Sequence, residues 1–211
     1  MNKGKAVAIY DLTTAQPAVV NIPAEGTASA LAFSPDGTQV AIGLWNGAIE
    51  IRSTTSGERS LTMLTTDSSI ASVAFSPAGS LLAAGLADGS ARLKRAQGGE
   101  NIAILRGHAG RVAHLAFSPD RQILATAADD GTVQLWHTTD GAQQATLMGP
   151  RAAPVTGIAF SPGGKLLAAA SSNVIRLWSI PSGERHACRP LRHSHPNRLL
   201  PRRSYFVLIL E

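Results

Sequence analysis

The tripeptide Phe-Ser-Pro recurs four times in this chain, as Phe33-Ser34-Pro35, Phe75-Ser76-Pro77, Phe117-Ser118-Pro119 and Phe160-Ser161-Pro162, with the phenylalanines 42, 42 and 43 residues apart. Each copy runs on into turn residues: Asp36-Gly37, Ala78-Gly79, Asp120 and Gly163-Gly164. Even spacing of this kind means one supersecondary unit used repeatedly. A unit in the low forties cannot bury a core by itself and must lean on its neighbours.

The unit is fullest from Leu105 to His137, LRGHAGRVAHLAFSPDRQILATAADDGTVQLWH. Three short apolar runs are separated there by Ser118-Pro119-Asp120 and by Asp130-Gly131. Proline presets φ and serine or aspartate can bond nearby backbone, so the first break is a turn. The second is the stronger hairpin signal, because glycine supplies the positive φ that a two-residue turn matched to strand twist requires. Short strands joined by tight hairpins, at a period in the low forties, predict an all-β fold: a β-propeller with one four-stranded blade per repeat.

With these residues in view, the chain resembles the WD-repeat β-propeller family over roughly residues 5 to 182. The family's Gly-His and Trp-Asp pairs are matched best by Gly107-His108 and Trp136-His137. The resemblance implies a structural hydrogen-bond network of His108, Thr126, Asp130 and Trp136. The second copy keeps only Asp88, with Thr66, Ala84 and Lys94 at the other places, and the first has Asn46 and Arg52 where aspartate and tryptophan would stand. The fourth keeps Trp178, but Pro150 stands near the histidine position and the Ser172-Asn173 turn is shortened.

Residues 1–22 read as the C-terminal half of a preceding blade, since Ile9-Tyr10-Asp11 stands where other copies have Leu-Trp-His. Blades one to four then occupy 23–182, with four strands each, and 183–211 is a basic extension outside the repeat, poorly ordered, with room for one stray strand. First strands (Ala28 to Phe33, Ile70 to Phe75, Val112 to Phe117, Val155 to Phe160) are nearly continuous apolar runs, which predicts cover on both faces. Third strands alternate, as in Ile49-Glu50-Ile51-Arg52 and Val133-Gln134-Leu135-Trp136, which predicts that one face begins to meet water. Four blades and a half are an awkward number, because family rings most often close with about seven. The count predicts an open or incomplete propeller, a piece of a longer product with an altered reading frame near Arg185, which needs further blades or a second chain to close.

Composition excludes several classes of function. Of 211 residues, 44% are apolar, enough for a real core. No apolar run reaches the ~18 residues of a membrane helix, and Ala6 to Ile9 is too short for a secretory core of roughly 7 to 15 residues. A single cysteine, Cys188, rules out an intrachain disulfide and suits a reducing cytoplasm. Basic charge is concentrated at one end: residues 1–182 carry a net +1 and residues 183–211 a net +4. The body is near neutral, so nucleic-acid or acidic-surface binding is assigned to the arginine-rich end alone, as the alternative reading.

Chemistry has little to stand on. His108, Asp130 and Thr126 superficially form a catalytic set, but the resemblance gives them a structural role. His186, His193 and His195 lie near Cys188, at spacings that match no paired metal-ligand pattern. There is no phosphate loop, no G-x-S-x-G elbow and no HExxH. The reading is therefore a non-catalytic protein-interaction scaffold with no cofactor, no metal, no small-molecule substrate and no membrane. Trp45, at the position of Asp129, is either a docking hot spot on a rim loop or a stand-in that folds back for the missing blade-one tryptophan. Arg111 and Arg151, in the loops entering blades three and four, are candidates for the same rim.

Overall fold

The computed structural model describes residues 6–11, 18–23, 25–64, 68–149, 153–172, 174–180 and 182–186. Thr66, Pro150, Arg151, Asn173, Cys188, His193 and His195 lie outside them, as does all of 187–211.

Strands β1 (Ala6–Asp11) and β2 (Ala18–Pro23) form a two-stranded antiparallel sheet. Four antiparallel meanders follow. Blade one is β3 (Ala28–Phe33), β4 (Gln39–Leu44), β5 (Ala48–Ser53) and β6 (Arg59–Leu64). Blade two is β7 (Ile70–Phe75), β8 (Leu81–Leu86), β9 (Ala91–Arg95) and β10 (Asn101–Leu105). Blade three is β11 (Val112–Phe117), β12 (Ile123–Ala128), β13 (Thr132–His137) and β14 (Gln143–Met148). Blade four is β15 (Gly157–Phe160), β16 (Leu166–Ser171), β17 (Val174–Ser179) and the short β18 (Arg185–His186). The described residues contain no helix, and the sheets do not close into a ring. The architecture is an incomplete β-propeller.

The repeated turn explains its own residues. In each copy the serine of Phe-Ser-Pro accepts, on its hydroxyl, the backbone N–H that opens the second strand: Gln39 to Ser34 (2.9 Å), Leu81 to Ser76 (3.0 Å), Ile123 to Ser118 (2.9 Å) and Leu166 to Ser161 (3.1 Å). The turn then needs a left-handed residue. Gly37, Gly79 and Gly164 supply it at φ 70–72°, whereas blade three places Arg121 there at φ 66°.

The core lies between sheets. The first strands of blades two to four pack on the two inner strands of the preceding blade: β7 on β3 and β4, β11 on β7 and β8, β15 on β11 and β12. Small residues permit the approach. A methyl on Gly85 would overlap the Val112 carbonyl and the Ser72 hydroxyl, and one on Gly43 would overlap the Ile70 side chain. Polar stitches cross the same seams, from Ser29 Oγ to the Ile70 carbonyl (2.6 Å) and from Ser72 Oγ to the Val112 carbonyl (2.9 Å).

Two strand expectations are corrected. First strands are only half-covered, β3 alternating between half-buried and exposed, while β4, β8 and β12 are buried almost throughout. The reason is position: a second strand has neighbours on both edges and both faces, whereas a first strand keeps one edge free. Third strands do not turn a face to water. Glu50, Arg52, Arg92, Lys94 and Gln134 are all buried, so the polar half of the alternation looks into the preceding sheet.

Candidate functional site: the inter-strand networks and the loop rim

Blade three builds the densest cluster. Trp136 Nε1–H can only donate, and its acceptor is Thr126 Oγ1 at 2.9 Å. The threonine proton is then free for His108 Nε2, 2.8 Å away. That leaves the imidazole proton on Nδ1, facing Asp130 Oδ2 (3.1 Å) and Thr132 Oγ1 (3.0 Å). Asp130 is saturated from other sides as well, by the N–H groups of Ala109 and Thr132 (both 2.8 Å) and by the Thr132 hydroxyl (2.8 Å). Burial pushes the His108 pKa down and outweighs the pull of Asp130, so the ring is neutral at physiological pH. Burial alone would raise the Asp130 carboxyl, but the Thr132 and Ala109 donors and His108 together hold it below the ordinary range. With every polar atom of the four residues engaged inside the blade, the arrangement leaves no activated nucleophile; it ties the loop entering the blade to the turn within it.

The other blades solve the same problem with different residues at the same places. In blade one the Arg52 guanidinium pairs with the Glu50 carboxylate (Nη2 to Oε2 2.7 Å, Nε to Oε2 2.8 Å) and donates to the Gly57 carbonyl (3.2 Å), while Glu25 N–H reaches Glu50 Oε1 (3.3 Å). In blade two Asp88 accepts the Ser90 N–H (2.8 Å) and hydroxyl (2.6 Å), and Arg92 donates to Ser90 Oγ (2.9 Å). Lys94, on the Trp136 place, donates only a 3.4 Å bond to the Gly99 carbonyl; burial, then the neighbouring Arg92 charge, lower its pKa. In blade four Trp178 is buried, with Ala169 in place of the threonine hydroxyl, and Arg176 reaches back to the carbonyls of Met148 (2.6 Å) and Gly149. Glu50, Arg92, Gln134 and Arg176, each 42 residues from the next, form a row that sequence reasoning missed. The period itself was the signal that could have found it.

The rim above these networks has a regular anchor. The N–H of the residue before the turn aspartate, or before Asn46 in blade one, bonds a carbonyl of the entering loop: Trp45 to Thr27, Ala87 to Ser69 and Asp129 to Arg111, each at 3.0 Å. Trp45 and Arg111 therefore share one rim. The Trp45 backbone is held while its side chain stays out, the residue 66% exposed. It does not fold back, and the place of the missing blade-one tryptophan is taken by Arg52, paired with Glu50. Arg111 is exposed, and His114 on β11 is half-buried with its pKa lowered by burial and then by the Arg111 charge, against the opposing pull of Asp129. Among the described residues there is no group of three His, Cys, Asp or Glu placed to hold a metal ion, and no helix long and apolar enough to cross a membrane.

Three segments, residues 58–93, 99–137 and 141–179, match the family described as WD domain, G-beta repeat, and together span more than half of the chain. Against the curated proteins the chain has no match. Repeats of this family generally serve as protein-interaction scaffolds and are typically non-catalytic.

Proposed function

Because this chain belongs to the WD-repeat family, we propose that it is a non-catalytic scaffold whose blades, within 23–182, present the rim carrying Trp45 and Arg111 to another protein. One observation carries the reading: Trp45 is a large aromatic side chain held out from a backbone that is hydrogen-bonded in place. Such a residue loses little conformational freedom when a partner covers it, and large aromatic anchors dominate interface energies. Arg151, at the equivalent entry to blade four, is assigned to the same rim by sequence position alone.

The experiment is recovery of binding partners by the whole chain and by variants. Trp45→Ala should weaken a rim partner by about 2 kcal/mol or more, roughly 30-fold in Kd, and Arg111→Ala by less. Recovery of every partner unchanged by the double variant would overturn the reading. Deleting residues 187–211 should leave that recovery intact. If the deletion alone abolished binding, and the lost partner were a nucleic acid, the arginine-rich end would be the functional element instead.

A further inference from the structure

We propose that Asn46 is a site of spontaneous deamidation, where the Gly47 nitrogen displaces ammonia from the Asn46 side chain and water opens the resulting imide to leave aspartate. The conversion gives blade one the turn carboxylate that blades two and three already carry as Asp88 and Asp130.

The three turns are built alike. Asn46, Asp88 and Asp130 stand 42 residues apart, each followed by a glycine in the left-handed region, Gly47 at φ 81°, Gly89 at 84° and Gly131 at 81°. Each side chain folds over its own turn and accepts, on Oδ1, the N–H two residues on: Ala48 to Asn46 at 3.1 Å, Ser90 to Asp88 and Thr132 to Asp130 both at 2.8 Å. The longest of the three bonds belongs to the neutral acceptor, as expected when charge shortens the others. Position 46 is shaped for a carboxylate and holds an amide.

The surroundings favour the reaction. The Ala48 N–H holds Oδ1, the atom on which negative charge develops as the Gly47 nitrogen adds to Cγ, and a donor placed there stabilises the addition. Asn46 is exposed, and its side-chain nitrogen has no hydrogen bond among the described residues, so the leaving group is free to depart. Gly47 has no Cβ to shield its nitrogen. Of the chain's six asparagines only Asn46 precedes a glycine; Asn21 and Asn101 precede Ile22 and Ile102, whose branched Cβ crowds the same approach.

The atoms balance between chain and solvent. A proton leaves the Gly47 nitrogen, the new N–Cγ bond closes a cyclic imide, and the Cγ–Nδ2 bond breaks with proton uptake to release ammonia. Water adding at Cγ then restores the ordinary peptide with aspartate at 46, whereas water adding at the backbone carbonyl leaves the chain running through Cβ. One bond acts as a brake: the Gly47 N–H donates to the Leu44 carbonyl at 3.1 Å and must let go first. The product places a negative charge one residue from Trp45, so the exposed rim changes charge as the chain ages.

Ageing the full-length chain in mildly alkaline buffer, with peptide mapping by mass, is the test. Asn46 should exchange NH for O and release ammonia, within about tenfold of the rate in a synthetic peptide of residues 43–51, because an exposed turn opens at little cost. Asn21 and Asn101 should convert slower than Asn46 by about tenfold or more. Gly47→Ala should slow the reaction by about tenfold or more in the peptide and in the chain, so a folding defect of the variant does not decide the outcome. Asn46→Asp should melt no lower than the parent. Asn46 intact in the chain over about ten half-lives of the peptide would overturn the proposal. So would conversion indifferent to Gly47→Ala, conversion of Asn21 or Asn101 at an equal rate, or a lowered melting point for Asn46→Asp.

Discussion

Arg52 and Glu50, two residues apart on β5, form a buried ion pair at the places where blade three carries Trp136 and Gln134. One partner cannot be withdrawn alone, because an unpaired charge would remain in a seam closed to water. Arg52→Ala should lower unfolding stability by about 3–5 kcal/mol. Replacing both, Glu50→Leu with Arg52→Met, should recover most of that loss, since an apolar pair avoids the desolvation cost. Urea denaturation of the three chains checks this. A single variant as stable as the parent would mean the pair is not buried in solution.

Thr126 is the only hydroxyl that both accepts from Trp136 and donates to His108. Thr126→Val keeps the volume but strands a buried indole N–H and an imidazole nitrogen, at a cost of about 1–3 kcal/mol. Thr126→Ser, which keeps the oxygen, should lose less. Comparing denaturation midpoints for the two variants decides whether the hydroxyl or the methyl matters.

The histidines set an acid limit. His108 and His114 both have folded pKa values below the ordinary 6.5, so the unfolded chain takes up protons first as pH falls through that value. Stability should be fully present above pH 6.5 and decline below it, until the folded pKa values are passed. A second decline should begin below pH 3.8, where Asp88 and Asp130, held low by their hydrogen-bond donors, finally protonate. His114→Gln should make the first slope shallower and leave the second unchanged, as measured by thermal midpoints across pH.

Arg121 holds a left-handed conformation that Gly37, Gly79 and Gly164 hold without a side chain. Its backbone is already committed, N–H to the Ser118 carbonyl (2.9 Å) and carbonyl from the Thr138 hydroxyl (2.6 Å). Arg121→Gly should therefore stabilise the chain by about 0.5–1 kcal/mol, the relief of the left-handed cost less the added freedom of the unfolded chain. A destabilised variant, by calorimetry, would show that the arginine side chain contributes something the turn geometry does not.

How much of this was readable in advance follows from the range of the forces involved. The Phe-Ser-Pro turn and the Asp-Gly hairpin are local chemistry, so strand order and the number of sheets could be read directly. Burial on the third strands could not. Alternation of Ile49 and Ile51 with Glu50 and Arg52 looks the same whether the polar face meets water or another sheet, and only the packing of neighbours decides. Trp45 was undecidable for a related reason: a tryptophan on a loop folds inward or stays out according to the packing around it, which its own sequence position does not give. Comparing each residue with those 42 positions away would have drawn attention to the Glu50, Arg92, Gln134, Arg176 row, though not to the bonds each makes.

Because the first strands of blades two, three and four each rest on two strands of the sheet before, cohesion among the described residues runs along the chain like that of a stack, each layer held by its immediate neighbours. Among the described residues, blades two and three have a four-stranded sheet on both sides, blade one has one on one side and only β1 and β2 on the other, and blade four has one on one side. Amide hydrogens should accordingly exchange most slowly on β8 and β12 and progressively faster toward either end, with opening that starts at the margins and travels inward.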